Sequence, residues 1–239
     1  NTFTGASRKK GSMRNEADTR AELIDPQLVE AGWGSSVNPE TQIKREFLIS
    51  PGQVGPGHND ETRSVADYVL IYKNRKLAVI EAKKEELDVS EGVGQAKDYA
   101  KKLNLNTAFA ANGKEIYQIC METGQEGPAD SFPTPDELWT KTFKQKNEWI
   151  ESFNNIPFEF SDPRHTIRFY QEIAVNNVMQ AIAEDKKRIL LTLATGTGKT
   201  FIAAQIGWKL FKTKWNLKKD KKRSPRILFL VDRNILADQ

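Results

Sequence analysis

The chain has 239 residues, 38% of them hydrophobic and 28% charged, with Gly and Pro together at 25 positions and a net charge of only +4. These proportions exclude collagen-like, low-complexity and wholly disordered classes and leave one or two ordinary globular domains. Apolar runs no longer than about five residues exclude a membrane span; the lack of a leader pattern and the single cysteine, Cys120, argue against secretion and point to the cytoplasm.

Residues 1–12 are polar, small and basic without periodicity and read as a disordered tail, or as residues left by cloning. From Asn15, the apolar residues Ala21, Leu23, Ile24, Leu28, Val29 and Ala31 recur at helical spacing; Pro26 interrupts this helix, predicting two short pieces or one kinked one, and Gly32 and Gly34 end it. Ile43–Ile49 reads as a strand, followed by a loop with five Gly or Pro in eight residues. Tyr68–Tyr72 and Leu77–Ile80 read as a hairpin turning through residues 73–76, followed by a helix from about Ser90 to Leu103. Thr107–Ala111 and Ile116–Cys120 read as two further strands about Asn112-Gly113. The first module is therefore α/β, with enough apolar positions for its own core.

Gly124, Gly127, Pro128, Pro133 and Pro135 predict a loop, and Asp136–Phe153 a single bridging helix. A second α/β pattern begins near Thr166: helix Tyr170–Ala183, strand Ile189–Leu193, a Gly-rich turn, helix Lys199–Phe211, a basic loop and strand Ile227–Val231. Nine Lys or Arg against one acid, Asp220, lie between Trp208 and Arg226, so that stretch carries +8 and the remainder −4. Such a stretch either engages phosphates or is a solvated surface loop.

Two constellations carry chemistry. In the first, Asp67 stands near the head of one hairpin strand, while Glu81 and Lys83, two apart at the end of the other, share a face. Two carboxylates and a lysine on one face suit Mg²⁺-dependent phosphodiester hydrolysis, although Glu and Lys are equally common at solvated strand ends. Gln95 and Tyr99 lie four apart on the next helix, on one helical face. The set Asp…Glu-x-Lys…Gln-x-x-x-Tyr resembles the PD-(D/E)xK nuclease fold in its RecB-like branch, with Ala66 where Pro is usual. The resemblance implies that Gln95 and Tyr99 support the metal site or hold DNA, and that Glu16 on the first helix is the early acidic ligand.

In the second, Ala194-Thr195-Gly196-Thr197-Gly198-Lys199-Thr200 follows an apolar run and opens a helix, the setting of a phosphate-binding loop. Backbone amides of Thr195, Gly196, Thr197 and Gly198 would wrap the phosphates of ATP, Lys199 would reach the β- and γ-phosphates, and Thr200 would hold Mg²⁺. Leu193 stands where the general pattern has Gly. Gln171 upstream and Arg233 downstream resemble superfamily 2 helicase and translocase motors, which implies that Gln171 reads adenine and Arg233 touches a nucleic-acid backbone. The acidic motif and second lobe of such motors do not fit after Val231, so ATP hydrolysis by this chain is not expected. His58 and His165 have no partner at ligand spacing, and Cys120, in an apolar strand, reads as a core residue rather than a nucleophile.

Nuclease first, motor second, together with Glu16-Ala17-Asp18-Thr19-Arg20 and Ala31-Gly32-Trp33 at the start and Phe132–Trp139 between, resembles the restriction (R) subunit of type I restriction-modification systems. The resemblance implies residues 13–124 as a nuclease domain, 125–165 as a linker and 166–239 as the first part of a RecA-like parallel α/β motor domain. It also implies double-stranded DNA as substrate, methyltransferase (M) and specificity (S) subunits as partners, and cleavage of unmodified DNA away from the recognition site. Nothing resembles a groove-reading helix, so base sequence is expected to be read elsewhere. The alternatives are a nuclease–helicase fusion of DNA repair or phage defence without a methyltransferase, and a catalytically inactive DNA- or partner-binding module.

Overall fold

The computed structural model describes residues 14–49, 64–144, 147–160 and 166–230. These form two compact units, one holding 14–49, 64–72 and 76–143, the other holding 73–75 and the described residues from 144 onward. The loop around His58, His165, and the segment containing Arg233 lie outside the described residues.

In the first unit the opening helical run is one irregular piece rather than two separate ones. Asn15 caps it by accepting from the Asp18 N–H at 2.8 Å. Helix α1 (Glu16–Thr19) passes into a π turn (Arg20–Ile24) and then into α2 (Asp25–Glu30). Pro26 falls in the first turn of α2, where its missing N–H costs least, and the wider π turn before it makes room for the ring. Ile24 and Leu28 are wholly buried, so this run is held by its apolar stripe.

A six-stranded sheet in the order β1-β2-β3-β4-β5-β6 forms the rest of the unit: β1 (Thr41–Ile49), β2 (Ser64–Tyr72), β3 (Arg75–Ala82), β4 (Thr107–Ala111), β5 (Ile116–Cys120) and β6 (Glu126–Ala129). Strand β6 is a correction, since its Gly and Pro predict a loop; it pairs antiparallel with β5 at the sheet edge, where a Pro is tolerated. Strands β2 and β3 turn through Lys73 and Asn74, both with positive φ, a tight two-residue hairpin. Strands β3 and β4 run parallel, with α3 (Val93–Leu103) crossing between them. From Leu77 to Ala82 every residue of β3 is buried, the pattern of a strand covered on both faces. Trp33 is wholly buried and its indole N–H donates to the carbonyl of Pro133 at 2.8 Å, tying the first helices to the segment after β6. Trp33→Ala is expected to cost about 3–5 kcal/mol through the cavity and the orphaned carbonyl, read as a lowered urea midpoint.

The predicted helix Asp136–Phe153 is two helices, α4 (Pro135–Thr142) in the first unit and α5 (Glu148–Asn154) in the second. Each has its own N-cap, Thr134 and Asn147, and an N-cap residue has extended backbone that interrupts any helix before it. The second unit continues with α6 (Phe169–Ala183) and α7 (Lys199–Lys212). Neither predicted strand of this unit is one: 189–193 and 227–230 pair with nothing among the described residues, and Leu190 and Leu228 are 90% and 82% exposed. A parallel strand exists only through neighbours on its edges and faces, so apolar sequence without a partner strand leaves an extended segment.

Candidate functional site

The first unit brings Asp67, Glu81, Lys83, Gln95 and Tyr99 together, with Glu16 close enough for its charge to bear on Glu81 and Lys83. Asp67 lies in β2 between the buried Ala66 and Tyr68, and its Oδ2 accepts the backbone N–H of Ala82 in β3 at 2.8 Å. That bond locks the carboxylate level with Glu81 across the hairpin. Lys83 donates to Glu81 at 2.8 Å and to Oε1 of Gln95 at 2.6 Å, so α3 holds the ammonium against the strand. The helix can approach this closely because Gly92 precedes it: a Cβ there would lie 3.2 Å from that of Ala110 and 3.4 Å from Cγ of both Glu81 and Lys83.

The electrostatics follow from burial. Glu81 is 5% exposed, and desolvation raises its carboxyl pKa to about 7; the Lys83 hydrogen bond works against this and the charges of Asp67 and Glu16 reinforce it. Desolvation opposes the charge on Lys83 as well, but its hydrogen bond to Glu81 and the surrounding carboxylates raise its pKa overall. Tyr99 is raised by burial and by the Glu81 charge, and it shares a hydrogen bond with Gln95.

This shift has a sign that can be measured. Between pH 4.5 and about 7 the folded chain keeps a proton on Glu81 that the unfolded chain releases, so stability is lost as pH rises through that window. In divalent-free buffer the loss is expected to be on the order of 2 kcal/mol. The urea midpoint of Glu81→Gln should lack this component; an unchanged pH dependence would contradict the assignment.

The donor set suits a hard divalent cation. Oε2 of Glu81 is buried without a hydrogen-bond partner, an orphaned acceptor of the kind a cation satisfies. No three His, Cys, Asp or Glu side chains form a closed cage among the described residues, so a cation here would rest on two carboxylates and complete its shell with water and phosphate, as Mg²⁺ commonly does.

In the second unit, the loop before α7 turns on two glycines. Gly196 and Gly198 have φ of +78° and +84°, and Gly198 is the N-cap of α7, so amide groups at the helix start face outward. Lys199 turns back to donate to the carbonyls of Leu193 and Ala194 at 2.9 and 2.8 Å, and Thr197 Oγ1 donates to Ala194 at 2.7 Å. Thr195 and Thr200 are exposed. Gln171 is buried; its Oε1 accepts the Arg168 N–H at 3.1 Å and its Nε2 donates to the carbonyl of Thr197 at 3.0 Å, so it braces the loop. Beside it lies a cavity of about 630 Å³ lined by Arg168, Gln171, Gly196, Gly198, Phe201 and Trp208 among others, with Phe160 stacked on Phe201 at 5.7 Å.

Sequence reasoning passed over Phe160, Phe201 and Trp208, which carry no motif and are united only by helix spacing and a loop. Arg20 enters the sequence reading only as part of the opening motif, and Glu46 only within the strand Ile43–Ile49, though both lie beside Asp67. Lys209, counted in the basic stretch, is buried at 3% exposure, where it donates to the carbonyls of Phe153 and Ile156 at the end of α5; desolvation lowers its pKa to about 8. The other cations of the stretch lie on the surface, and Asn216 orders their loop by bonding Lys214, Asp220 and Arg223. Cys120 is half-buried at the end of β5 rather than in the core, and a hydrogen bond from Thr123 lowers its thiol pKa.

Both halves of the chain are similar to restriction-enzyme proteins. Residues 56–135 match the family described as the second domain of the type I restriction enzyme EcoKI endonuclease subunit, and residues 164–239 match the family described as the res subunit of type III restriction enzymes. The chain is 37% identical to the type I restriction enzyme EcoAI endonuclease subunit of Escherichia coli over 95% of its length, which covers 28% of that protein. It is 26% identical to the EcoKI endonuclease subunit of Escherichia coli K12 over 91% of its length, covering 22% of that protein. Among solved structures, a fragment described as an HsdR subunit of a type I restriction enzyme from Vibrio vulnificus YJ016 superposes with a TM-score of 0.78 at 38% identity, over 90% of this chain and 41% of that one. The chain thus spans about a quarter of the length of the curated relatives it matches, and over that span it is similar in sequence and fold to the endonuclease subunits of type I restriction enzymes.

Proposed function

We propose that this chain carries a Mg²⁺-dependent DNA endonuclease centre of the PD-(D/E)xK kind, followed by the ATP-binding start of a RecA-like translocase domain. The observation that carries the nuclease reading is the orphaned, buried Oε2 of Glu81 beside a backbone-locked Asp67 and a lysine held by Gln95. The expected division is 13–124 for the nuclease domain, 125–165 for the connection and 166–239 for the beginning of the motor, although the first compact unit runs on through β6 and α4 to residue 143. Its substrate is double-stranded DNA, its partners are the methyltransferase and specificity subunits of a type I complex, and its place is the cytoplasm. No helix among the described residues is long and apolar enough to cross a membrane.

A cation held by Asp67 and Glu81 would supply charge that neutralises the scissile phosphate and acidifies water, with Glu16 adding its charge from the first helix rather than closing a three-carboxylate cage. The chain's own groups do the rest. Lys83 presents its ammonium to the charge that develops on the phosphate, at a position set by Gln95. Glu81 takes on charge only near neutral pH, because burial and like charge disfavour its carboxylate. Tyr99 keeps its phenolic proton and offers a neutral donor near the strand end.

In the second unit, the cavity beside Gly196 and Gly198 is the seat of ATP, with Lys199 leaving its two carbonyls for the phosphates and Thr200 completing the Mg²⁺ shell. Incubation of the chain with supercoiled plasmid and Mg²⁺ or Mn²⁺, without nucleotide, tests the nuclease centre: nicking that EDTA abolishes supports it.

A further inference from the structure

Arg20 joins two acidic groups that the proposed chemistry does not use together. It opens the π turn, four residues after Glu16 and therefore on the same helical face. Its Nη1 donates to Oδ1 of Asp67 at 2.9 Å, and its Nη2 reaches Oε1 of Glu46 at 3.4 Å. The other oxygen of Asp67 belongs to the Ala82 N–H, so one oxygen is fixed by backbone and the other is held by a guanidinium. Glu46 lies in β1 between the paired positions Arg45↔Tyr68 and Phe47↔Ala66, level with Asp67, and adopts φ +50°. A left-handed glutamate inside a strand carries a steric cost, and strain of this kind collects at functional sites. The Glu46 side chain is 70% exposed, against 19% for Arg20 and 14% for Asp67.

Each carboxylate of the pair thus has its own cation: Lys83 on Glu81, Arg20 on Asp67. The two are not equivalent. Lys83 contacts Oε1 and leaves Oε2 of Glu81 open, whereas Arg20 sits on the oxygen of Asp67 that backbone does not hold. We propose that Arg20 is a positioning residue that guards Oδ1 of Asp67 until a divalent cation takes it, and that Glu46 retains the guanidinium after release. This rests on the reading of Asp67 and Glu81 as cation ligands. The centre is then kept charge-balanced without metal, and the cost of metal entry falls on one displaceable ion pair. Glu46, exposed and strained into place, keeps the displaced cation from being lost to solvent.

The test is Mn²⁺ binding to the DNA-free chain, by calorimetry or by Mn²⁺ electron spin resonance, with melting temperature as a folding control. Arg20→Ala should tighten Mn²⁺ binding about tenfold, as expected when a partly buried competitor is removed. Glu46→Gln should weaken it about threefold in the wild-type background and leave it unchanged in the Arg20→Ala background. Should Arg20→Ala not fold, the weakening by Glu46→Gln, at an exposed position, carries the test by itself. Unchanged or weaker Mn²⁺ binding by a folded Arg20→Ala chain, or an equal effect of Glu46→Gln in both backgrounds, overturns the guard role and leaves the nuclease reading standing. Wild-type chain that binds no Mn²⁺, or binds it as well after Glu81→Ala, overturns both.

Discussion

Metal-dependent nicking of plasmid by this chain is expected to fall at least about 100-fold in the Glu81→Ala/Lys83→Ala double variant, while its melting temperature stays near that of the wild type. Both side chains sit at or just past the end of β3, and both are costly to bury: Glu81 is desolvated to a pKa of about 7, and desolvation of Lys83 is offset by its hydrogen bond to Glu81 and the carboxylates around it. Removing them together takes away a cation ligand and the ammonium beside it without leaving either partner unpaired, which is why the fold should tolerate the change. Asp67→Ala is a harsher variant, since it also strands the Ala82 N–H and frees Arg20. Gln95→Ala should act more mildly, by about tenfold, because it loosens Lys83 rather than deleting it. Nicking that persists in the double variant would place the chemistry elsewhere. If the chain alone is silent, the same double variant in the full-length subunit, assembled with the methyltransferase and specificity subunits proposed as its partners and supplied with ATP, must abolish cleavage.

The second large effect concerns the loop before α7. Lys199→Ala should weaken binding of a non-hydrolysable ATP analogue by about 10–100-fold, the equivalent of losing charge-assisted hydrogen bonds to phosphate. Its ammonium now rests on the carbonyls of Leu193 and Ala194, so the variant loses little internal structure and the effect should be confined to affinity. Gly198→Ala should abolish binding by a different route. Its φ of +84° is strained for any residue with a side chain, and a Cβ there would lie 2.6 Å from Nε2 of Gln171. The loop must then move off Gln171, losing the bond to Thr197 and about 1–3 kcal/mol of stability. Calorimetry separates the two: Lys199→Ala keeps its melting temperature and loses affinity, Gly198→Ala loses both. Undiminished affinity in Lys199→Ala would remove the loop from the nucleotide site.

What was legible in the chain was local. The spacing of Glu81 and Lys83 on one strand, of Gln95 and Tyr99 on one helix, and the glycines before Lys199 follow from periodicities of two and 3.6 and from backbone freedom, which neighbours in sequence decide among themselves. Elements whose existence depends on a distant partner were not legible. The Gly- and Pro-bearing β6 is a strand because β5 offers it an edge, and apolar 189–193 is not one because no strand among the described residues pairs with it. The single predicted helix after Pro135 broke because Asn147 could cap a second one.

The same division runs through the candidate sites. Residue types and spacings alone determined the two candidate constellations and their order, since phosphate chemistry calls for carboxylates with lysine in one case and glycines with lysine in the other. Tertiary structure decided everything that depends on environment: the burial that lifts Glu81 toward neutral pH, the reassignment of Lys209 from surface charge to a capped helix end, the aromatic wall of Phe160 and Phe201, and the pairing of Arg20 with Asp67, 47 residues away. Desolvation and cross-chain contact are properties of a folded volume, and no pattern along the sequence encodes them locally.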